Sequence, residues 1–173
     1  MTEGRGAGYP EQALQVHAAG PQHREQVERL LTASWGSTTV VSRGVIHDAA
    51  MLPAFVATRG GSIVGLAAYS LGRLACELVS LDATERHRGI GSALLERVAE
   101  HARGSGCERL WLITTNDNLD ALRFYQRRGL RIVAVHRGAV DHSRRIKPSI
   151  PLHGEYGIPI QDELELELIL DPA

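Results

Sequence analysis

The chain has 173 residues with nearly balanced charge, since 19 Lys and Arg residues face 20 Asp and Glu residues. This length predicts one domain with a sizeable core. The balanced charge argues against a nucleic-acid-binding protein, which usually carries a clear basic excess. The content of 43% hydrophobic and 23% charged residues excludes wholesale disorder. No apolar run reaches the roughly 20 residues that a membrane span needs, so we expect no membrane contact.

The chain ends and the cysteines point to a simple organisation. Residues 1–8 are rich in glycine and lack an apolar segment. We therefore expect a flexible N-terminal tail rather than a signal peptide, followed by one domain over residues 9–173. Cys76 and Cys107 are too few for a disulfide framework, and no metal-ligand spacing of Cys or His is present, so the sequence predicts no metal site. A cytoplasmic location fits these features best.

The first half of the chain predicts a helix followed by an antiparallel run of strands. A short edge strand is predicted at residues 14–17, and a helix begins at Pro21 and ends near residue 32. Residues 35–43 show no clear period and predict a loop or a short helix. Three mostly apolar strands joined by tight turns follow at residues 55–58, 62–69 and 74–81.

The second half alternates helices with strands, which predicts an α/β domain. Amphipathic helices are expected at residues 91–103 and, after capping residues 116–118, up to residue 128. Strands are expected at residues 109–115, 130–135 and 163–170. Residues 136–160 contain three prolines and predict a long irregular segment. The last strand alternates Glu with Leu and therefore has one carboxylate face.

The turn between the third apolar strand and the next helix has the composition of an anion site. Its residues 86–91 are RHRGIG. Glycines at a strand-to-helix turn let backbone N–H groups converge on an anion, and the helix N-terminus adds partial positive charge. A dinucleotide fingerprint would need glycine where Leu94 stands, and a Walker loop would need Gly-Lys-Ser/Thr. A tight turn with solvated arginines is the alternative interpretation.

A second segment places polar groups on one helix face. Asn118, Ala121 and Tyr125 share a face at helical spacing, and Gly129 follows at the predicted helix end. The Asn118 amide and the Tyr125 phenol are therefore expected to point into one cleft. The alternative is that Asn118 caps the helix while Tyr125 packs in the core.

Together the two segments, about 30 residues apart, resemble the GCN5-related N-acetyltransferase (GNAT) superfamily. The first motif of that family is Arg/Gln-x-x-Gly-x-Gly/Ala, which is matched by Arg86, Gly89 and Gly91. The second, Asn-x-x-Ala-x-x-x-Tyr-x-x-x-Gly-Phe, is matched by Asn118, Ala121, Tyr125 and Gly129, with Leu130 in place of Phe. The resemblance covers residues 10–135 in element order. It implies a mixed, mostly antiparallel central sheet flanked by helices on both faces, in a single domain.

The resemblance also implies acetyl-CoA as the acyl donor. The pyrophosphate would bind the amides of the first motif, and the pantetheine arm would run between the strands at residues 74–81 and 109–115. An amide at the end of the first of these strands would polarise the thioester carbonyl. The residues assigned to acetyl-CoA in this way are Leu81, Asp82, Arg86, His87, Arg88, Gly89, Ile90, Gly91, Ser92, Asn118, Ala121 and Tyr125.

Transfer in this family is direct, from the thioester to a primary amine, and requires no acyl-enzyme. The resemblance implies that Tyr125 protonates the departing thiolate. Glu77 is a candidate general base, because burial near the cleft would raise its pKa. The alternative for Glu77 is a side chain that faces solvent or pairs with an arginine. Cys76 and Cys107 are expected to be packing residues.

The acceptor site is less well defined by the sequence. Trp35 and Ser37 fall where the family closes over the acceptor, and Glu163 is a substrate-binding candidate on the acidic face of the last strand. Packing is the alternative for Trp35, and a solvated face for the glutamates. The basic residues of segment 137–147 predict a solvated loop or, alternatively, a contact with an anion or partner. An amine acceptor of unknown identity, a homodimer and a non-catalytic acyl-CoA-binding domain all remain open.

Overall fold

A seven-stranded sheet forms the central layer of the computed structural model, which describes residues 13–85 and 88–171. The tail expected at residues 1–8 lies outside the described residues. The strands of this sheet are β1 (Gln15–Ala18), β4 (Ala54–Arg59), β5 (Ser62–Leu71), β6 (Ala75–Ala83), β7 (Arg109–Thr115), β8 (Arg131–His136) and β9 (Glu163–Ile169). Their order across the sheet is β1-β4-β5-β6-β7-β9-β8. Among the described strands only β6 and β7 pair in parallel, so the mixed, mostly antiparallel sheet is confirmed.

Helices cover both faces of this sheet, as predicted. They are α1 (Arg24–Trp35), α2 (Ile90–Gly104), α3 (Leu119–Gln126) and α4 (Ala139–Ile146). Successive strand side chains point to opposite faces. In β4, Phe55 therefore belongs to the apolar cluster of α2, whereas Val56 belongs to the cluster that contains Leu31 of α1. No helix in the described part of the chain is long and apolar enough to cross a membrane.

The parallel strands β6 and β7 separate after a short paired stretch. Their pairing is limited to the register from Ala75 opposite Arg109 to Glu77 opposite Trp111. Beyond it, β6 continues to Ala83 and β7 to Thr115 without further pairing between them. A gap therefore opens in the middle of the sheet, between the two strands where the family resemblance places the pantetheine arm.

Two predicted loops contain regular structure. Residues 35–43 contribute β2 (Thr39–Ser42), which pairs with β3 (Val45–Asp48) in a separate hairpin, so the prediction of a loop or short helix is wrong. The tight turn at Arg43 and Gly44, both at positive φ, lacks the usual Asn-Gly signal. The segment 136–160 contains α4 and a single 3-10 turn at Glu155–Gly157. The sequence pattern did not show α4, because only Val140 and Ser143 of this helix are buried.

Candidate active site

The N-terminus of α2 presents backbone amides that no side chain caps. Gly89 precedes the helix with φ of +76°, a conformation that favours glycine. The N–H groups of Ile90, Gly91 and Ser92 belong to the first turn, which has no intrahelical acceptor. A Cβ atom on Gly91 would lie 3.1 Å from the ring of Phe124, so glycine lets α2 and α3 approach closely. This end of α2 is suited to an anion. Arg86 and His87 lie outside the described residues, and Arg88 lies 4.0 Å from Glu85.

Arg128 joins this anion site, although its sequence position did not suggest it. The guanidinium donates two hydrogen bonds to Ser92 Oγ, at 3.0 and 2.5 Å, and one to the Phe124 carbonyl at 2.9 Å. It also lies over the Phe124 ring, 3.6 Å from the centroid. Burial and, secondarily, the neighbouring Arg127 lower the pKa of Arg128. The sequence feature that could have identified Arg128 is its position four residues after Phe124, on the side of α3 that packs against α2.

The second motif lies on α3, next to the gap between β6 and β7. Asn118 Oδ1 accepts a hydrogen bond from the Ala121 amide at 3.1 Å, so the capping interpretation of Asn118 is confirmed. Tyr125 is buried two turns further along. Burial and, secondarily, the charge of Asp82 raise the pKa of the Tyr125 phenol. The phenol therefore keeps its proton at neutral pH and can act as a hydrogen-bond donor.

The residues before α3 fix a loop from the C-terminal part of the chain. The Asn116 side chain donates to the Pro159 carbonyl and accepts from the amides of Gln161 and Asp162. Asp117 is buried and accepts from the Glu155 amide at 3.1 Å. These contacts hold residues 155–162 beside the start of α3.

The end of β6 carries a polar group on the face opposite α2. Asp82 is buried, and its Oδ2 accepts from Ser80 Oγ at 2.6 Å and from Trp35 Nε1 at 2.9 Å. Trp35, the last residue of α1, thereby reaches the strand end while 46% of its surface stays exposed. Ser37 instead donates to the Thr39 carbonyl of its own segment, at 3.4 Å.

Glu77 is buried at the last position of β6 that pairs with β7, on the same face as the hairpin β2–β3. Its Oε1 accepts a hydrogen bond from Ser42 Oγ at 2.5 Å, and its Oε2 lies 3.6 Å from His47 Nε2. The alternative of a solvent-facing or arginine-paired Glu77 is wrong. Sequence reasoning missed Ser42 and His47, because it did not predict the hairpin that carries them.

The acidic face of β9 is covered rather than solvated. Glu163 is buried, and it accepts from Ser143 Oγ at 2.7 Å and from the Arg43 amide at 3.1 Å. Glu165 is buried too, and it contacts Arg43, Arg109 and His136. The solvated-face alternative is therefore wrong for these two residues. Ser42 and Arg43 are consecutive, so the carboxylates of Glu77 and Glu163 accept hydrogen bonds from adjacent residues of the hairpin.

A cavity of about 250 Å³ adjoins Glu163. Its lining residues are Arg43, Gly44, His136, Ala139, His142 and Glu163. A larger cavity of about 580 Å³ lies at the β1 edge of the sheet around His17 and contacts none of the residues above.

Two cations of the basic segment 137–147 donate hydrogen bonds to backbone carbonyls within the fold. Arg144 donates to the carbonyls of Ile150, Pro151 and Ile160, and Lys147 Nζ donates to the Thr39 carbonyl at 2.7 Å. Burial lowers the pKa of Lys147. These two cations therefore connect loops and the hairpin. Within residues 13–85 and 88–171, no three His, Cys, Asp or Glu side chains are placed to share a metal ion.

Comparison with known proteins identifies the family. The sequence profile of the acetyltransferase (GNAT) family matches residues 20–130. The chain belongs to this family. Over 138 residues it is 41% identical to the uncharacterized protein YdhI of Bacillus subtilis, covering 79% of this chain and 86% of that protein.

Solved structures share the GNAT fold. An IAA acetyltransferase from Bacillus cereus superimposes with a TM-score of 0.72 at 24% identity, covering 91% of this chain and 100% of that one. A GNAT family acetyltransferase from Elizabethkingia anophelis with acetyl-CoA bound gives a TM-score of 0.63 at 20% identity, covering 91% and 98% of the two chains.

Proposed function

We propose that this GNAT family member is an enzyme that transfers an acetyl group from acetyl-CoA directly to a primary amine. The supporting observation is the arrangement around the gap between β6 and β7. An anion site at the start of α2 and the Tyr125 phenol lie on one side, and the buried Glu77 carboxylate lies on the other face of the sheet. In this proposal the transferase domain spans residues 9–173 and works in the cytoplasm.

The donor side is assigned to the uncapped end of α2. Its amides from Ile90 to Ser92, with the nearby cation of Arg128, suit the phosphates of CoA. The neighbour from Elizabethkingia anophelis is a family member with acetyl-CoA bound, which supports this assignment. The backbone at Leu81 and Asp82, where β6 ends beside the gap, would polarise the thioester carbonyl.

The acceptor amine is assigned to the face of the sheet that carries Glu77, Asp82 and Glu163. Glu77 lies four residues before Leu81, where the thioester carbonyl would bind. This separation corresponds to about 13 Å along a strand, which is too long for direct contact. We therefore assign Glu77 the role of a general base that reaches the amine through water. The free amine then forms the C–N bond to the carbonyl carbon as the C–S bond breaks. Tyr125 donates a hydrogen bond to the leaving thiolate, and Trp35 and Glu163 border the space that the amine would occupy.

The test is acetyl-CoA-dependent release of thiol over a library of primary amines. We expect turnover with at least one amine, and we expect Glu77→Gln to lower kcat by about 10²-fold or more. The dissociation constant of acetyl-CoA, measured by calorimetry, should stay unchanged in this variant. Binding of acetyl-CoA without turnover on any amine would favour the non-catalytic acyl-CoA-binding domain instead.

A further inference from the structure

His47 has a buried nitrogen with no hydrogen-bond partner. The Nε2 atom is buried and receives no hydrogen bond from the described residues, while 13% of the side chain stays exposed. Leaving a buried polar atom unpaired costs free energy, so such an atom requires an explanation. The nearest charged group is the Glu77 carboxylate, whose Oε2 lies 3.6 Å away.

Glu77 uses one carboxylate oxygen for a hydrogen bond and has the other oxygen available to His47. Ser42 Oγ donates to Oε1 at 2.5 Å and thereby fixes the carboxylate. The second oxygen, Oε2, faces the imidazole. Ser42 and His47 belong to the two strands of one hairpin, in which Ser42 pairs with Val45 and Val40 with His47. One small element therefore both holds the carboxylate and brings an imidazole to it.

We propose that Glu77 and His47 form a carboxylate–imidazole relay through which the acceptor ammonium loses its proton. The inference rests on the proposed function, because it gives Glu77 its route for passing that proton on. His47 acts through Glu77, so it is a positioning and relay residue rather than a group that touches the amine.

The proton balance of the relay is complete without a further reactant. The ammonium gives one proton, through water, to the Glu77 carboxylate, which passes it to the unprotonated Nε2 of His47. After the transfer, the imidazolium returns this proton from Nε2 through Glu77 and water to solvent, which restores the neutral ring with its proton on Nδ1. The amine forms the C–N bond, the C–S bond breaks, and the second proton of the nitrogen ends on the CoA thiol. One proton is released to solvent in each turnover.

The charges around the pair come from several elements. On its own strand, Glu77 follows Cys76, whose pKa its charge helps to raise. Arg43 after β2 and Arg109 of β7 flank Trp111, the register partner of Glu77. Both arginines also contact Glu165 of β9, so their charge is partly balanced there. Among the described side chains, His47 is the titratable group that forms an ion-pair contact with Glu77.

The test compares His47→Gln with His17→Gln, an identical change at the β1 edge, where His17 contacts Thr58 at 3.3 Å. We expect His47→Gln to lower kcat for the amine at least about tenfold, with an unchanged KM for acetyl-CoA. Added imidazole should restore part of the lost kcat, which it would not do for a purely structural loss. His17→Gln should keep the wild-type kcat and give no response to imidazole.

Three results would overturn the relay while leaving the proposed function intact, because wild-type turnover is measured in the same assay. One is a wild-type kcat in His47→Gln. Another is a loss of kcat that imidazole does not restore. Should both His47→Gln and the smaller His47→Asn fail to fold, the wild-type protein still decides by nitrogen NMR of its histidine rings. The relay predicts a proton on Nδ1 and none on Nε2 in the neutral ring of His47, and the opposite tautomer would contradict it.

Discussion

The environment of Tyr125 sets the chemistry that its phenol can perform. Burial, with a smaller contribution from the charge of Asp82, raises its pKa above the ordinary value of 10.0. An alkyl thiol such as a cysteine side chain has a pKa of about 8.5. Complete proton transfer from the phenol to a thiolate is therefore uphill. A hydrogen bond to the developing negative charge is favourable, because bonds to charged groups are the stronger ones.

Removal of the phenol oxygen should therefore affect catalysis and little else. We expect Tyr125→Phe to lower kcat by about 10-fold to 10²-fold, because the hydrogen bond strengthens only as the thiolate forms. The Kd of acetyl-CoA and the Tm should stay within error, since the ring still fills its buried site. Steady-state kinetics, under conditions where the chemical step limits turnover, measure this change in kcat. Full kcat in the variant would make Tyr125 a packing residue.

The raised pKa of Tyr125 also predicts a pH profile. A group with a raised pKa keeps its proton until the pH rises through that higher value. Loss of the phenolic proton should then cause no fall of kcat below about pH 10. An alkaline fall at lower pH that disappears in Tyr125→Phe would contradict the raised pKa.

Arg128 gives a second residue-scale prediction, on the donor side. Arg128→Gln removes the cation beside Ser92, so we expect the Kd of acetyl-CoA to rise about tenfold, equivalent to about 1.4 kcal/mol. The control is Arg127→Gln, which removes the adjacent exposed arginine. Comparison of CoA with dephospho-CoA shows which phosphate is contacted. A loss confined to CoA indicates the 3′-phosphate, and a loss for both indicates the pyrophosphate. An unchanged Kd for both would limit Arg128 to a structural contact between α2 and α3.

At the scale of elements, α3 depends on its cap. Asn118→Ala removes the oxygen that accepts from the Ala121 amide, which should cost about 1 kcal/mol of unfolding free energy. For a chain of this size that corresponds to a fall in Tm of about 2–4 °C. Asn118→Asp keeps a capping oxygen and should retain most of the stability. Thermal unfolding of the two variants measures the difference, and an equal loss in both would show that the cap is not the cause.

Helices α1, α2 and α3 and the main strands could be predicted, because their own patterns contain the information. The apolar stripe of α2 includes Leu94, Leu95 and Val98, which all lie in the core. The hairpin β2–β3 has no such pattern, since Val45 and Ile46 are 54% and 61% exposed. Val40 packs against the cluster that contains Leu31, and the hairpin is otherwise held by polar contacts between residues far apart in the chain, such as Ser42 with Glu77 and Arg43 with Glu163.

In the candidate site, too, the residues that belong to local sequence patterns could be predicted, and those joined by tertiary contacts could not. Sequence motifs place the amides of α2, the cap of α3 and Tyr125, since each belongs to a local pattern. The partners of Glu77 arise only when the hairpin folds onto the sheet, and Arg128 meets Ser92 only when α2 and α3 pack together. Tertiary contacts of this kind leave no periodicity in the sequence.

At the scale of the whole molecule, the anion site and the buried carboxylates that have no arginine or lysine partner within the described part of the chain lie on opposite faces of the sheet. The start of α2 and Arg128 are electropositive and lie on the side of the donor. On the other face, Glu77, Asp82 and Glu163 are buried, and among the described residues none of the three forms an ion pair with a lysine or arginine side chain. Buried charges are usually paired. The face thus favours a cationic acceptor by Coulomb attraction, whereas an anionic donor is favoured at α2.

The two cysteines report on the integrity of this layered core. Cys76 of β6 and Cys107 before β7 are both buried free thiols in the cluster that α2 covers. Burial, followed by the charges of Cys107 and Glu77, raises the pKa of Cys76 to about 12, and burial also raises that of Cys107. At pH 8, roughly one Cys76 thiol in 10⁴ would be ionised even with free access to reagent. Only the thiolate is an effective nucleophile.

We therefore expect native protein at pH 8 to resist alkylation by iodoacetamide at both cysteines and to keep its acetyl-CoA binding. Both thiols should become reactive together as urea unfolds the chain, because they belong to one cooperative core. Mass spectrometry of samples quenched along a urea titration, compared with far-UV circular dichroism, gives the two transitions. Coincident midpoints would make alkylation a measure of global unfolding. Rapid labelling of Cys76 in native buffer would instead show that β6 opens locally, at the strand that carries Glu77.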